Sequence, residues 1–353
     1  MESLLKKWDG ERVVIQQDQL TGAWIIIAMH SSLLGPASGG TRMKSYPTLT
    51  DAVYDATRLA ASMTYKFAIA GMARGGGKAV IALPPDFEPA LRPDLLRRYG
   101  ILVRQLGGLY ETGPDVGTSP EDMDIIAETG SPHVFCQTPA NGGCGSSAEA
   151  TALGVFSGLQ AVAEQCFGQT SLANKRVLVQ GAGNVGAPLI YHLLEDQAEV
   201  LFNDVDEATI HHFRDEVGLP FIPEHKIYET PCDIFSPCAL GGVLNETTIP
   251  RLQCQAVAGA ANNQLATAAD ADRLHHRGIL YAPDYAINVG GAMAVVGIEL
   301  DGWDQQKADA QVKTIRDSLL TIFSKAKTDG ITTEVAAKQI VEARLAAQQA
   351  ATS

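Results

Sequence analysis

Val177-Leu178-Val179-Gln180-Gly181-Ala182-Gly183-Asn184-Val185-Gly186 reads as a short buried strand that runs into a glycine turn and opens a helix. The turn carries the G-x-G-x-x-G spacing, and each glycine has its own task. Gly181 permits the tight turn, Gly183 lets the backbone approach a pyrophosphate, and Gly186 lets the helix pack on the strand. Backbone N–H groups and the helix dipole favour an anion at this point. Asp204 ends the next strand-like run, Val200–Asn203, 23 residues beyond Gly181. A carboxylate there accepts hydrogen bonds from both ribose hydroxyls and repels a 2′-phosphate, which selects NAD over NADP. Asp206 reads as a helix N-cap.

Outward from this turn, strand and helix alternate. A helix is predicted through about Glu195, another over Glu207–Glu216, and strands at Cys232–Phe235 and Ala256–Ala258. That alternation indicates parallel βαβ units in a doubly wound sheet. The earlier half has extended runs at Arg12–Gln16, Ala23–Met29 and Ala79–Leu83, with helices over Thr50–Met63 and Asp94–Leu106. Ala23–Met29 is nearly all apolar, as in a strand covered on both faces. The tail is predicted helical over Ala310–Lys325 and Thr333–Gln349, broken at Asp329-Gly330. The expected fold is α/β, with two domains around a cleft. Residues 1–140 would form an α/β substrate-binding and oligomerisation domain, built on a mostly parallel sheet with an edge strand. Residues 141–353 would form a Rossmann doubly wound domain whose C-terminal helices pack back on the first, with Asn141–Ser147 as the hinge.

Composition narrows the class. The 353 residues are 46% hydrophobic and 19% charged, which excludes a disordered chain. No apolar stretch approaches the ~18 residues of a membrane span. The net charge of −13, with no basic stripe, argues against nucleic acid or anionic membranes as partners. The start lacks an apolar signal region, and the six cysteines show no C-x-x-C pair, so reduced thiols in a cytoplasmic enzyme are expected. The adjacent pairs His211-His212 and His275-His276 point about 100° apart on a helix and make poor chelates; no metal site is expected.

Lys78 ends Arg74-Gly75-Gly76-Gly77-Lys78, but Ala79 stands where a phosphate loop needs Ser or Thr to bind magnesium. The glycines would instead bring backbone close to a ligand, with the lysine aimed at it. A buried lysine near another cation has a depressed pKa and can serve as a base. Lys66 lies upstream in Met63-Thr64-Tyr65-Lys66, and Asp115 sits among the turn residues of Thr112–Thr118. Two lysines and an acid beside a dinucleotide suggest a dehydrogenase that shuttles protons.

Here the chain resembles the glutamate/leucine/phenylalanine/valine dehydrogenase family. The resemblance is carried in order by Leu34–Arg42, Met63–Lys78, Gly113–Thr118, Gly181–Gly186, Ser236–Ala239, Gly259–Gln264 and Ala282–Tyr285. It implies reversible, NAD-dependent oxidative deamination of an L-amino acid to a 2-oxo acid and ammonium, by a homo-oligomer. Lys66 would hold the α-carboxylate, Lys78 would act as the base that activates water, and Asp115 would exchange protons with the substrate nitrogen. Ser38, Gly39, Gly40, Met63, Pro114, Asn262, Ala292 and Val295 would line the substrate site. The cofactor would touch Thr151, Gly181, Gly183, Asn184, Val185, Gly186, Asp204 and Val205, and also Cys238, Ala239, Ala260, Asn262 and Asn288.

The residue before Gly39-Gly40 bears on substrate. Glutamate members have a lysine there; Ser38 carries no charge, so a buried γ-carboxylate would lack a partner at a cost of several kcal/mol. Leucine members resemble a leucine at this place, and the smaller Ser38 would leave room for a ring. Phenylalanine is therefore the expected substrate, on a chain most like the phenylalanine branch. Leucine, valine and tryptophan remain alternatives, as does a non-catalytic NAD-binding regulator, although such a sensor would not need Lys66, Lys78 and Asp115 together.

Overall fold

The computed structural model describes residues 1–352. The chain divides into two compact units. One comprises Met1–Ser147, Val295–Asp304 and the residues from Val341 onward; the other comprises Ala148–Ala294 and Gln305–Ile340.

The first unit starts with α1 (Glu2–Lys7) and is built on strands β1 (Arg12–Gln17), β2 (Trp24–Ser31), β3 (Ala37–Ser45), β4 (Gly75–Leu83) and β5 (Tyr110–Pro114). Their order is β1-β2-β4-β3-β5. Only β2 runs against the rest, and it lies inside the sheet rather than at its edge. Helix α2 (Leu49–Ile69) covers one face, and α3 (Arg92–Gln105) and α4 (Pro120–Gly130) cover the other.

Strand β2 shows why this arrangement is stable. Ile26 and Ala28 pack with Ala52, Val53, Ala56 and Ala60 of α2, while Ile25, Ile27 and Met29 pack with Leu95, Tyr99 and Tyr110. Ile25, Ile26 and Ile27 have no exposed surface, each stabilising the fold by roughly 1.5–3 kcal/mol. A run without polar alternation is what a doubly covered strand requires. Thr48 caps α2: its hydroxyl accepts from the Asp51 N–H at 3.2 Å. The helix continues six residues beyond Met63, because its buried face continues through Phe67, Ala68 and Ile69.

Two strands lie where sequence signalled turns. Gly39 and Gly40 are inside β3, and Gly75–Gly77 open β4, four residues before the predicted start at Ala79. The reason is close packing. A Cβ on Gly39 would collide with the carbonyl of Gly77, and one on Gly76 with the backbone of Ala60 and Thr64 in α2. The glycine run therefore brings backbone against backbone.

The second unit begins with α5 (Ala148–Phe167). It continues through β6 (Arg176–Gln180), α6 (Gly186–Glu195), β7 (Glu199–Asn203), α7 (Glu207–His211), β8 (Ile234–Pro237), β9 (Ala256–Val257), α8 (Ala269–His276), β10 (Leu280–Tyr281) and α9 (Asp284–Ile287). Next come α10 (Gly290–Glu299), α11 (Gln305–Lys313), α12 (Ile315–Asp329) and α13 (Thr333–Thr352), of which α10 from Val295 and α13 from Val341 belong to the first unit. All four strand pairings are parallel, in the order β10-β9-β8-β6-β7. The predicted single helix over Ala310–Lys325 is broken at Thr314, between α11 and α12. Gly330, at φ 66°, ends α12 in the left-handed region. Among the described residues, no helix is long and apolar enough to cross a membrane.

Candidate active site

In the first unit, β3 lies between β4 and β5, so residues far apart in sequence converge: Gly40 and Arg42 from mid-β3, Lys78 from β4 and Asp115 from the end of β5. Period-2 alternation puts Gly40 and Arg42 on one face of β3, and Gly76 and Lys78 on one face of β4. Asp115 follows the last residue of β5. The Lys78 ammonium lies 2.9 Å from Asp115 Oδ1, and Arg42 Nε donates to Asp115 Oδ2 at 2.7 Å.

The surroundings tune both groups. The Lys78 side chain is only 6% exposed. Burial pushes its pKa below the ordinary ammonium value, and Asp115 only partly opposes this. For Asp115, burial alone would raise the pKa, but Lys78 and Arg42 outweigh it and hold the carboxyl at about 2. At neutral pH the arrangement is a fixed carboxylate beside an amine that gives up its proton more readily than a free lysine.

The loop that presents Asp115 is tied down. Its N–H donates to the Thr118 hydroxyl at 2.9 Å, and that hydroxyl donates to the Thr41 carbonyl at 2.7 Å. Gly40 faces the same loop: a Cβ there would come within 3.0 Å of Asp115 Cβ and would crowd the Pro114 carbonyl. Lys66 lies in the last turn of α2, half-buried, and Met63, one turn earlier, lies against Gly39.

Ser38 overturns the expectation placed on it. It has no exposed surface, and its hydroxyl donates to Glu111 Oε2. Arg74 Nε donates to that same oxygen at 2.7 Å, and Arg74 Nη2 donates to Asp301 Oδ1 at 2.7 Å. Ser38 is thus enclosed beside a buried ion pair rather than facing open space.

In the second unit, the glycine turn sits where β6 pairs with β7 on one side and β8 on the other. This is the point where strand order reverses, and ligands of open α/β sheets bind there. Gly181 has φ 90°, and a Cβ on it would lie 2.7 Å from Cβ of Ala239. A Cβ on Gly186 would strike the Gly181 carbonyl, whereas one on Gly183 would meet nothing within 4 Å. Gly183 and Asn184 are exposed, Val185 is half-buried, and Cys238 donates its N–H to the Gln180 carbonyl at 2.7 Å.

Asp204 Oδ2 accepts the Ala182 N–H at 2.7 Å, and Oδ1 accepts those of Val205 and Asp206. Val205 is 82% exposed. Asp206 caps α7 by accepting the Thr209 N–H at 2.8 Å. Asn288 donates to the Ala260 carbonyl at 3.0 Å and to Asn262 Oδ1 at 2.8 Å. Its own buried Oδ1 has no partner and fits a donor such as a carboxamide N–H₂. Thr151 lies in the first turn of α5. Ala292 and Val295 lie on α10, half-buried and 3% exposed respectively. His211, His275 and His276 are exposed and His212 is half-buried, and no cluster among the described residues could hold a metal.

Residues 12–131 match the sequence family described as Glu/Leu/Phe/Val dehydrogenase, dimerisation domain. Residues 142–202 and 196–352 match Glutamate/Leucine/Phenylalanine/Valine dehydrogenase. The chain belongs to this family. It is 42% identical to leucine dehydrogenase of Thermoactinomyces intermedius over 97% of this chain and 92% of that protein. It is 44% identical to valine dehydrogenase of Streptomyces virginiae over 95% and 93%. The crystal structure of L-tryptophan dehydrogenase from Nostoc punctiforme superposes with a TM-score of 0.87, at 38% identity and 99% coverage of both chains.

The dehydrogenase is thus an amino acid dehydrogenase, an enzyme of oxidative deamination that uses NAD or NADP, and the non-catalytic regulator is set aside. The expected phenylalanine preference finds no support among these relatives, and the Ser38 argument behind it fails on the geometry above. Sequence reasoning quoted Arg42 without a role and passed over Asp55. Arg42 was within reach of the period-2 rule, had Gly39-Gly40 been read as strand.

Proposed function

We propose that this dehydrogenase oxidises branched-chain L-amino acids, leucine and valine foremost, with NAD. The observation that carries the reading is the identity of 42% and 44%, nearly end to end, with relatives named leucine and valine dehydrogenase. The Ser38–Glu111–Arg74 cluster adds a second point. A buried carboxylate beside Ser38 is a poor neighbour for the γ-carboxylate of glutamate.

In this reading Lys66 pairs with the substrate α-carboxylate. NAD, held by the Gly181–Gly186 turn and Asp204, would supply the hydride acceptor for the substrate Cα. The ionised Asp115 takes a proton from the substrate ammonium, stabilises the positive charge that builds on nitrogen, and gives that proton back as ammonia leaves. Lys78, in its amine form, takes a proton from the water that attacks the imine carbon. Gly39, Gly40, Met63, Pro114, Ala292 and Val295 line the substrate. Gly181–Gly186 receive the pyrophosphate, Asp204 and Val205 the ribose, and Thr151, Cys238, Ala239, Ala260, Asn262 and Asn288 the nicotinamide half. The Gly183 backbone, open to space, suits the first of these and the unpaired Asn288 Oδ1 the last. We also assign residues 1–140 to substrate binding and assembly and the remainder to NAD. The enzyme is a cytoplasmic homo-oligomer, in keeping with six free thiols and the dimerisation-domain match.

The test is NADH formation with a panel of leucine, valine, isoleucine, phenylalanine, tryptophan and glutamate. Leucine or valine should lead the aromatic members by about tenfold or more in kcat/KM, within the ~1–3 kcal/mol that apolar pockets discriminate. An aromatic leader, or no turnover at all, would overturn the assignment.

A further inference from the structure

Each oxygen of Asp115 faces a different cation, and the second cation has its own supports. Lys78 takes Oδ1; Arg42 takes Oδ2 through Nε. The other arm of the Arg42 fork, Nη1, donates to Asp55 Oδ2 at 2.9 Å. The Tyr46 hydroxyl donates to that same oxygen at 2.8 Å, and Arg58 donates to Asp55 Oδ1 at 3.0 Å. Arg42 and Asp55 side chains are 18% and 13% exposed. The guanidinium is planar, permanently charged and fixed at both ends, so it cannot follow Lys78 or leave Asp115 without breaking two short charged hydrogen bonds.

We propose that Arg42 is a positioning residue for the reaction: seated on Asp55, which Tyr46 and Arg58 hold in turn, it fixes the Asp115 carboxylate and shares its charge, so that Lys78 is left under-neutralised and surrenders its proton. This inference rests on the reading of Lys78 as the base. The geometry supports it because Asp115 divides its attraction between two cations. A buried ammonium beside half of a carboxylate is less stable than one beside a whole carboxylate. The charged groups that act most strongly on Lys78 are Asp115 after β5, Arg42 on β3 and Asp55 on α2. Burial and Arg42 lower its pKa, whereas Asp115 and Asp55 raise it.

Two variants have opposite signs. In Arg42→Gln the whole charge of Asp115 falls to Lys78, and the repulsion from Arg42 is gone. The ammonium is stabilised, so the pH at which kcat/KM rises moves up by about one unit, and most of the lost activity returns at alkaline pH. In Asp55→Asn an anion that favours the ammonium is removed while Arg42 keeps Asp115, and the limb moves down by roughly half a unit. Both profiles are measured with NAD and the amino acid that leads the panel.

A purely structural role for Arg42 would lower kcat/KM by one factor at every pH, and an unmoved limb in Arg42→Gln overturns the proposal. If Arg42→Gln does not fold, Asp55→Asn decides: a limb that stays or moves up overturns it. The unmodified enzyme separates this from the reading beneath. No rising limb there removes Lys78 as the base, and this inference with it; a rising limb that the variants leave in place removes the inference alone.

Discussion

Gly75–Gly77 and Gly181–Gly186 look alike in sequence and do opposite things in the structure. In the first cluster, an added Cβ at any of the three glycines meets protein: Ser31, Thr64 and Tyr110 respectively. In the second, the flanking glycines are equally crowded, but Gly183 between them opens on empty space. One cluster spends its missing side chains on packing β4 against β2, helix α2 and the Tyr110 ring. The other leaves one unspent, at a strand-order reversal, where backbone N–H groups can receive an anion. The lesson is that a glycine marks a close approach without saying of what; only its neighbours decide between protein and ligand.

The sharpest break of that comparison is Gly76→Ala. The new methyl would fall on the Ala60 carbonyl and the Thr64 N–H, both helix backbone, which cannot rotate away. Helix α2 would have to lift from β4, at a cost of at least about 3 kcal/mol. Urea unfolding should show a lower midpoint at unchanged slope, or the variant should fail to accumulate folded. A variant that melts with the parent would mean the α2–β4 contact is looser than the geometry says.

The contrast explains what sequence could show. The strand, turn and helix around Gly181–Gly186 were legible because they lie within a few residues of one another, and each glycine answers to a local demand. Strand β2 was legible too, since Ile25–Ala28 has no polar alternation to conceal its two covered faces. Strands β3 and β5 were not, because Gly39-Gly40 and Gly113-Pro114 carry turn chemistry that tertiary packing overrides. The pairing of Lys78 with Asp115 could be guessed from residue types, but Arg42 meets Asp115 across 73 positions. Ser38 meets Glu111 across the same separation, so its identity was readable and its environment was not.

Gly183→Ala sharpens the comparison from the other side. Nothing lies within 4 Å of the new methyl, and Gly183 is not at positive φ, so the unfolding free energy should change by less than about 0.5 kcal/mol. The methyl would occupy space proposed for the pyrophosphate. The Kd for NADH, read by quenching of its fluorescence or by calorimetry, should rise about tenfold, equivalent to ~1.4 kcal/mol. Unchanged affinity with unchanged stability would show that the open side of this turn does not face the cofactor.

The smallest effect belongs to Asp204→Asn. The carboxylate already accepts three backbone N–H groups, from Ala182, Val205 and Asp206, so it shapes the turn as well as facing solvent. Asparagine keeps one acceptor and removes the charge, which separates the two tasks. If the charge repels a 2′-phosphate, the kcat/KM ratio of NADP to NAD should rise about fivefold, since charges ~4 Å apart near a surface interact by about 1 kcal/mol or more. Raising the ionic strength should shrink that gain, because screening weakens the repulsion in the parent enzyme. A ratio that does not move at low salt would leave Asp204 as a tie for the turn alone, and cofactor choice would then rest on other residues.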